Sequence, residues 1–145
     1  MARRHPQLDL DVQLCFPLYA ATRAVTRRYA ELLEDTGLTY PQYLTLLALW
    51  GGSPLTVGEL GERLRLDSGT LTPLLKRLEA AGHVVRRRSV EDERRVLVEP
   101  TEQGWALRDE VAQVPHDLAG SIGIDADEAV LLGSLLGKVL TALDG

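Results

Sequence analysis

The sequence predicts a mainly α-helical chain with one small β-hairpin, and three observations carry that reading. Apolar residues recur at steps of three and four through most of the 145 residues. A tight turn at Leu66-Asp67 separates two short amphipathic stretches, the second with a polar and basic outer face. Directly after it come two β-branched, arginine-rich runs around a charged tip. The length and the 45% hydrophobic, 26% charged composition fit one globular domain with a single core.

Residues 1–13 are polar and read as irregular or extended. From Leu14, the residues Leu18, Ala21, Val25, Tyr29 and Leu32 form a helical stripe, and Gly37 marks its C-terminal cap. Pro17 is tolerated only in a first turn, since inside a helix it costs about 3 kcal/mol. The helix is therefore expected to begin near residue 14, with Cys15 in its first turn. A second helix runs from Pro41 to Trp50, apolar nearly all round and hence buried, and Gly51-Gly52 stops it. A third spans 56–65, with Val57, Leu60 and Leu64 inward.

A fourth helix opens with Ser68 or Thr70 as N-cap candidates and closes at Gly82. Leu71, Leu74, Leu75 and Leu78 form its buried face, while Thr70, Thr72, Lys76 and Arg77 lie opposite. The runs 83–88 and 94–99 form the hairpin, so this unit is a winged helix-turn-helix. Thr101 caps a fifth helix to about Val114, and Asp125 with Glu128 starts a sixth that runs to the end. Trp50 and Trp105 are expected in the core. The first, fifth and sixth helices carry more apolar surface than the winged unit can cover, which points to a homodimer.

Net charge is −5, yet residues 76–95 hold seven Lys/Arg against four Asp/Glu, a local +3 that leaves −8 for the remainder. A basic module on an acidic body is an electrostatic footprint for phosphate. No apolar run approaches the roughly 20 residues of a membrane span, the start lacks a secretory signal, and one cysteine forms no internal disulfide. A cytoplasmic protein with no membrane partner is expected. His5, His83 and His116 are scattered, so no metal site and no cofactor are expected. Phosphate-binding loops and nucleophile-elbow patterns are absent.

The segments Leu55-Thr-Val-Gly-Glu-Leu-Gly-Glu-Arg-Leu, Leu71-Thr-Pro-Leu-Leu-Lys-Arg-Leu-Glu-Ala-Ala-Gly, Asp92-Glu-Arg94 and Thr101-Glu-Gln-Gly resemble the MarR family. Within it, Gln13-Leu-Cys-Phe-Pro-Leu-Tyr19 with Tyr29 and Tyr40 resembles the organic hydroperoxide resistance repressors. The resemblance implies a MarR-like homodimer, with 14–36 and 102–145 as dimerisation helices and 41–100 as the DNA-binding region. It implies a repressor, not an enzyme, that sits on an inverted-repeat operator of double-stranded DNA and controls a peroxide-detoxification gene. Oxidation of Cys15 by an organic hydroperoxide then releases the operator. Some relatives carry a second, resolving cysteine. With Cys15 alone, the sulfenic acid is expected to be trapped by a low-molecular-weight thiol or overoxidised.

The residues are consistent with that chemistry. Peroxide reduction needs a thiolate, which the positive end of a helix dipole favours. Tyr19, four residues on, shares the face of Cys15. Tyr29, fourteen residues on, is about 21 Å away along a straight helix, so it cannot reach Cys15 of its own chain through that helix. The same face returns after fourteen residues, so an antiparallel partner helix could deliver it, and the family places Tyr29 and Tyr40 of the second subunit at the thiolate. Alone, each tyrosine could equally be amphipathic core filling, the reading kept for Tyr43.

For DNA, Ser68, Thr70, Thr72, Lys76 and Arg77 are expected to face bases or phosphates from the fourth helix. Arg94 resembles the family's minor-groove arginine, with Asp92 orienting Arg86 or Arg94; Arg86 is the other wing residue expected to contact DNA. Two rivals stand beside this reading. One is a MarR-type repressor released by reversible binding of a small phenolic ligand, with Cys15 inert. The other is a thiol peroxidase, disfavoured by the lack of a resolving cysteine and the presence of the wing.

Overall fold

The computed structural model describes residues 2–144. Seven helices and three short strands follow in the order α1 (Phe16–Leu32), α2 (Tyr40–Gly51), β1 (Leu55–Thr56), α3 (Val57–Leu64), α4 (Ser68–Ala80), β2 (Val84–Arg88), β3 (Val96–Pro100), α5 (Glu102–Glu110), α6 (Val114–Ser121) and α7 (Ala126–Asp144). The mainly helical class with a β wing is as expected. Its antiparallel sheet has the order β1-β3-β2, with Arg86 opposite Val98 and Arg88 opposite Val96.

The core lies where α2, α3 and α4 meet the sheet. Leu46 and Leu49 of α2, Leu60 of α3, Leu71, Leu75 and Leu78 of α4, and Val98 of β3 are all fully enclosed. α2 is well started, since Thr39 and Gln42 form a reciprocal capping box. At the far end, Asp125 and Glu128 exchange the same pair of bonds at 2.8 and 3.1 Å.

Several expectations are corrected. The N-terminal segment is not extended throughout but carries 3₁₀ turns at Pro6–Leu8 and Leu10–Val12. α1 begins at Phe16, with Cys15 as its N-cap and Pro17 in its first turn. It ends at Leu32, and Gly37, at φ +72°, closes a further 3₁₀ turn rather than α1 itself. The N-cap of α4 is neither Ser68 nor Thr70 but Asp67, whose carboxylate accepts the Thr70 N–H at 2.7 Å.

The expected fifth helix stops at Glu110, short of Val114, and a further helix that was not expected follows it. Pro115 has no N–H to offer Val111, whose carbonyl accepts from Val114 at 3.0 Å instead. The chain restarts there as α6, with Pro115 in the first turn. Strand β1 was not expected, because its pairing of Leu55 with Val98 is made across some forty residues. Trp50 is buried, its Nε1–H donating to the Gly104 carbonyl at 3.1 Å, but Trp105 is 42% exposed.

α1 and α7 bury no residue in the single chain. Leu14, Leu18, Val130, Leu131, Leu135 and Leu143 all remain open to solvent.

Candidate nucleic-acid interface and thiol site

α4 separates its two faces cleanly. Leu71, Leu74, Leu75 and Leu78 are buried, whereas Ser68, Thr70, Lys76 and Arg77 are exposed and Thr72 is half-buried. The tip of the hairpin is braced by its own backbone, with Ser89 N–H donating to the Arg95 carbonyl at 2.8 Å and Arg95 N–H to the Asp92 carbonyl at 3.0 Å. One Asp92 oxygen accepts both the backbone N–H of Arg94 at 3.1 Å and its Nε at 3.2 Å. These two donors hold the Asp92 carboxyl below its ordinary range. The Arg94 side chain remains 92% exposed at the tip.

The other wing arginines are differently engaged. Arg87 pairs with Glu99 across the strands at 3.1 Å. Arg95 reaches Glu59 of α3 at 3.3 Å, and Arg88 donates to the Glu93 carbonyl at 2.9 Å. Arg86 is turned inward onto Glu79 of α4, at 3.0 Å. Asp92 therefore orients Arg94 and not Arg86.

Cys15 is exposed at the start of α1. Together with Leu18, Thr22, Val25 and Tyr40 it lines an open groove of about 560 Å³, whose opposite wall is Leu132, Leu135, Leu136 and Val139 of α7. Tyr19 is 60% exposed, with the Arg23 guanidinium 5.7 Å from its ring centre. Tyr29 and Tyr40 stack at 4.0 Å with a 9° tilt, and Tyr43 adds a third ring 5.6 Å from Tyr29. Within one chain, Tyr40 thus shares a groove with Cys15, while Tyr29 lies behind Tyr40 and outside that lining. Among the described residues there is no group of three potential metal ligands, and no helix is long and apolar enough to cross a membrane.

A family model described as transcriptional regulator SarA/Rot matches residues 27–111. The organic hydroperoxide resistance transcriptional regulator of Bacillus subtilis (strain 168) is 44% identical over 143 residues, 99% of this chain and 97% of that protein. The chain belongs to the MarR/SarA family of winged-helix transcriptional regulators. The HTH-type transcriptional regulator TtmR of Methylorubrum extorquens (strain PA1) is 53% identical over 126 residues, 87% of this chain but 64% of that longer protein. Reduced AbfR bound to DNA superposes with a TM-score of 0.80 at 36% identity, covering 96% of this chain and 97% of that one. The same protein, known from Staphylococcus epidermidis, has also been solved overoxidised on DNA.

Two features of this regulator's site escape a reading of the sequence. Tyr43 is core filling as expected, being 3% exposed, and the ring cluster it forms with Tyr29 and Tyr40 is what the sequence does not show. Glu79, one of the four acidic residues within 76–95, holds Arg86. The period of two in a strand carries that signal, because Arg86 shares a face with the buried Val84.

The cluster also has a measurable titration. Burial, with the neighbouring hydroxyls of Tyr40 and Tyr43, pushes Tyr29 up to about 12. Above the ordinary tyrosine range the unfolded chain gives up this proton while the folded chain keeps it. Stability from this group is therefore complete below about pH 10 and falls as pH rises toward 12. Denaturant titrations between pH 9 and 12 should show that decline in the wild type and a smaller one in Tyr29→Phe; equal slopes would refute the assignment.

Proposed function

We propose that this regulator is a homodimeric repressor that senses organic hydroperoxides through Cys15. The observation that carries the reading is the placement of an exposed cysteine at the N-cap of α1, in an apolar groove between α1 and α7. The 44% identity to a protein named for organic hydroperoxide resistance supports it. Segments 14–36 and 102–145 form the dimerisation region, and their open apolar faces on α1 and α7 are covered by the second subunit. Segment 41–100 reads the operator.

On DNA, α4 enters the major groove with Ser68, Thr70, Thr72, Lys76 and Arg77 toward bases and phosphates. Arg94, steered by Asp92, enters the adjacent minor groove. The two-fold axis sets half-sites about one helical turn, 10–10.5 bp, apart. Arg94→Ala is expected to weaken operator binding while leaving the dimer intact. Anisotropy titration at fixed salt, with sizing by ultracentrifugation, checks both; unchanged affinity would remove Arg94 from the interface.

In the sensing step the Cys15 thiolate attacks the terminal oxygen of the hydroperoxide. The S–O bond forms as the O–O bond breaks, and the leaving alkoxide takes a proton to become an alcohol. Sulfur is oxidised to the sulfenic acid and the peroxide is reduced. A small thiol then condenses with the sulfenic acid, giving a mixed disulfide and water. Tyr19 and, across the interface, Tyr29 and Tyr40 of the partner subunit support the thiolate. The bulkier adduct breaks those contacts, and the two α4 helices lose their spacing.

The test is a gel shift on an inverted-repeat duplex selected by the protein from a random pool. Release of the wild type by cumene hydroperoxide, reversed by a thiol and absent in Cys15→Ser, supports the reading. A second reading, release by a phenolic ligand, has its own observation in a cavity of about 300 Å³ lined by Tyr43, Leu47, Trp50, Arg108, Val111 and Pro115. Release of Cys15→Ser by a phenolic carboxylate, with no response to peroxide in either protein, would favour it.

A further inference from the structure

Strand β2 is an edge strand, and an edge must be covered or blunted. Val84 is buried and Arg86, two residues on, shares its face, whereas Arg87 points the other way toward Glu99. Arg86 therefore meets the last turn of α4, where Glu79 receives three donors. Its Oε1 accepts from Arg86 Nη2 at 3.0 Å and Nε at 3.3 Å, and its Oε2 accepts the Arg86 backbone N–H at 3.0 Å. Both carboxylate oxygens are used, and the pair is only 25% and 37% exposed. The other strut between the wing and the helices, Arg95 on Glu59, is a single contact between side chains about half exposed.

We propose that Glu79 is a positioning residue for operator binding, clamping the wing to α4 through Arg86 so that helix and wing tip occupy adjacent grooves together. The inference rests on the DNA-binding reading above. The physical need is geometric. The grooves of a duplex have a set spacing, and two linked contacts reinforce each other only when the linkage holds them at that spacing. Between α4 and β2 lie only Ala81, Gly82 and His83, and Gly82 sits at φ +82° in the left-handed region. This short turn sets the chain's direction, but the clamp fixes the angle with charge-assisted bonds to both backbone and side chain. Arg86 directs Nε and Nη2 at Glu79, so its guanidinium is turned toward α4.

The rival role, Arg86 as a phosphate contact, makes the opposite prediction. Glu79→Gln would then free a cation and tighten binding. The clamp predicts that Glu79→Gln weakens binding by about tenfold, the scale on which residues within one network couple. The slope of log affinity against log salt should stay at the wild-type value, because no phosphate contact is lost.

The experiment measures operator affinity by anisotropy at several salt concentrations for the wild type, Glu79→Gln, Arg86→Lys and Glu59→Gln, with melting curves to confirm folding. Arg86→Lys should weaken binding like Glu79→Gln, since lysine keeps the charge but lacks the fork, and Glu59→Gln should change little. In an Arg94→Ala background, Glu79→Gln should have almost no further effect, because the wing contact it positions is gone.

Wild-type or tighter binding by Glu79→Gln overturns the proposal. So does an equal loss with and without Arg94, which would mark general damage to the fold. A wild type that binds no duplex instead defeats the DNA-binding reading, and does so before any variant is compared.

Discussion

Cys15→Ser is expected to remain on its operator at peroxide concentrations that release the wild type completely. A serine hydroxyl is not ionised near neutral pH and does not cleave an O–O bond, so the sensing step stops at its first event. The substitution is gentle on structure, which makes the result interpretable. Cys15 is exposed, and its side chain makes no capping hydrogen bond that the substitution would remove. The variant should melt no lower than the wild type and bind the same duplex equally well when both are reduced. Mass spectrometry of peroxide-treated wild type should place the added oxygen or thiol on Cys15. Release of the serine variant by peroxide would refute the assignment.

The second large effect is on stability. Gly104→Ala is expected to destabilise the fold by about 3 kcal/mol, at the upper end of the overpacking range. In an open helix interior, alanine would stabilise by up to about 1 kcal/mol over glycine. Here a Cβ would collide with the His83 carbonyl oxygen and meet Pro100 at 3.2 Å. The obstacle is backbone, which no rotamer change can relieve. That backbone is itself tied down, since the His83 carbonyl accepts the Thr101 N–H at 3.0 Å and the Gly82 carbonyl accepts the Thr101 hydroxyl at 2.6 Å. The Gly104 carbonyl in turn holds the Trp50 indole. The clash therefore spreads to the base of the wing and to α2. Urea denaturation should show the loss, with a melting temperature lower by roughly 10 °C. A change within about 0.5 kcal/mol would mean that α5 and the hairpin have room for a Cβ between them.

Local signals account for what the residues reveal in order along the chain. Helices α2, α3 and α4 and the hairpin follow from apolar spacing and from turn residues within ten positions of one another. The Asp125–Glu128 capping box is equally local, as is the bracing of Arg94 by Asp92, two positions apart. Where two local rules competed, the sequence alone chose less well. Asp67, Ser68 and Thr70 are all good N-caps, and only the turn leaving α3 decides that the carboxylate of Asp67 is the one aimed at the Thr70 N–H. α6, which opens with Pro115 in its first turn, has no comparably strong apolar stripe to announce it, and it buries only Val114.

By itself, then, the sequence determined the helical and hairpin segments, the local basic charge at 76–95, and the presence of one cysteine with tyrosines at Tyr19, Tyr29 and Tyr40. Period, composition and spacing are properties of neighbours in the chain. The tertiary structure alone decided that Leu55 pairs with Val98, that Trp105 stays at the surface, that Tyr43 joins the stack, and that Arg86 faces Glu79. Each of these depends on which surface a residue meets after the elements pack. An arginine in a basic strand looks the same in sequence whether it faces phosphate or a carboxylate on the next helix. Only the sheet's alternation, anchored by the burial of Val84, fixes which way it points.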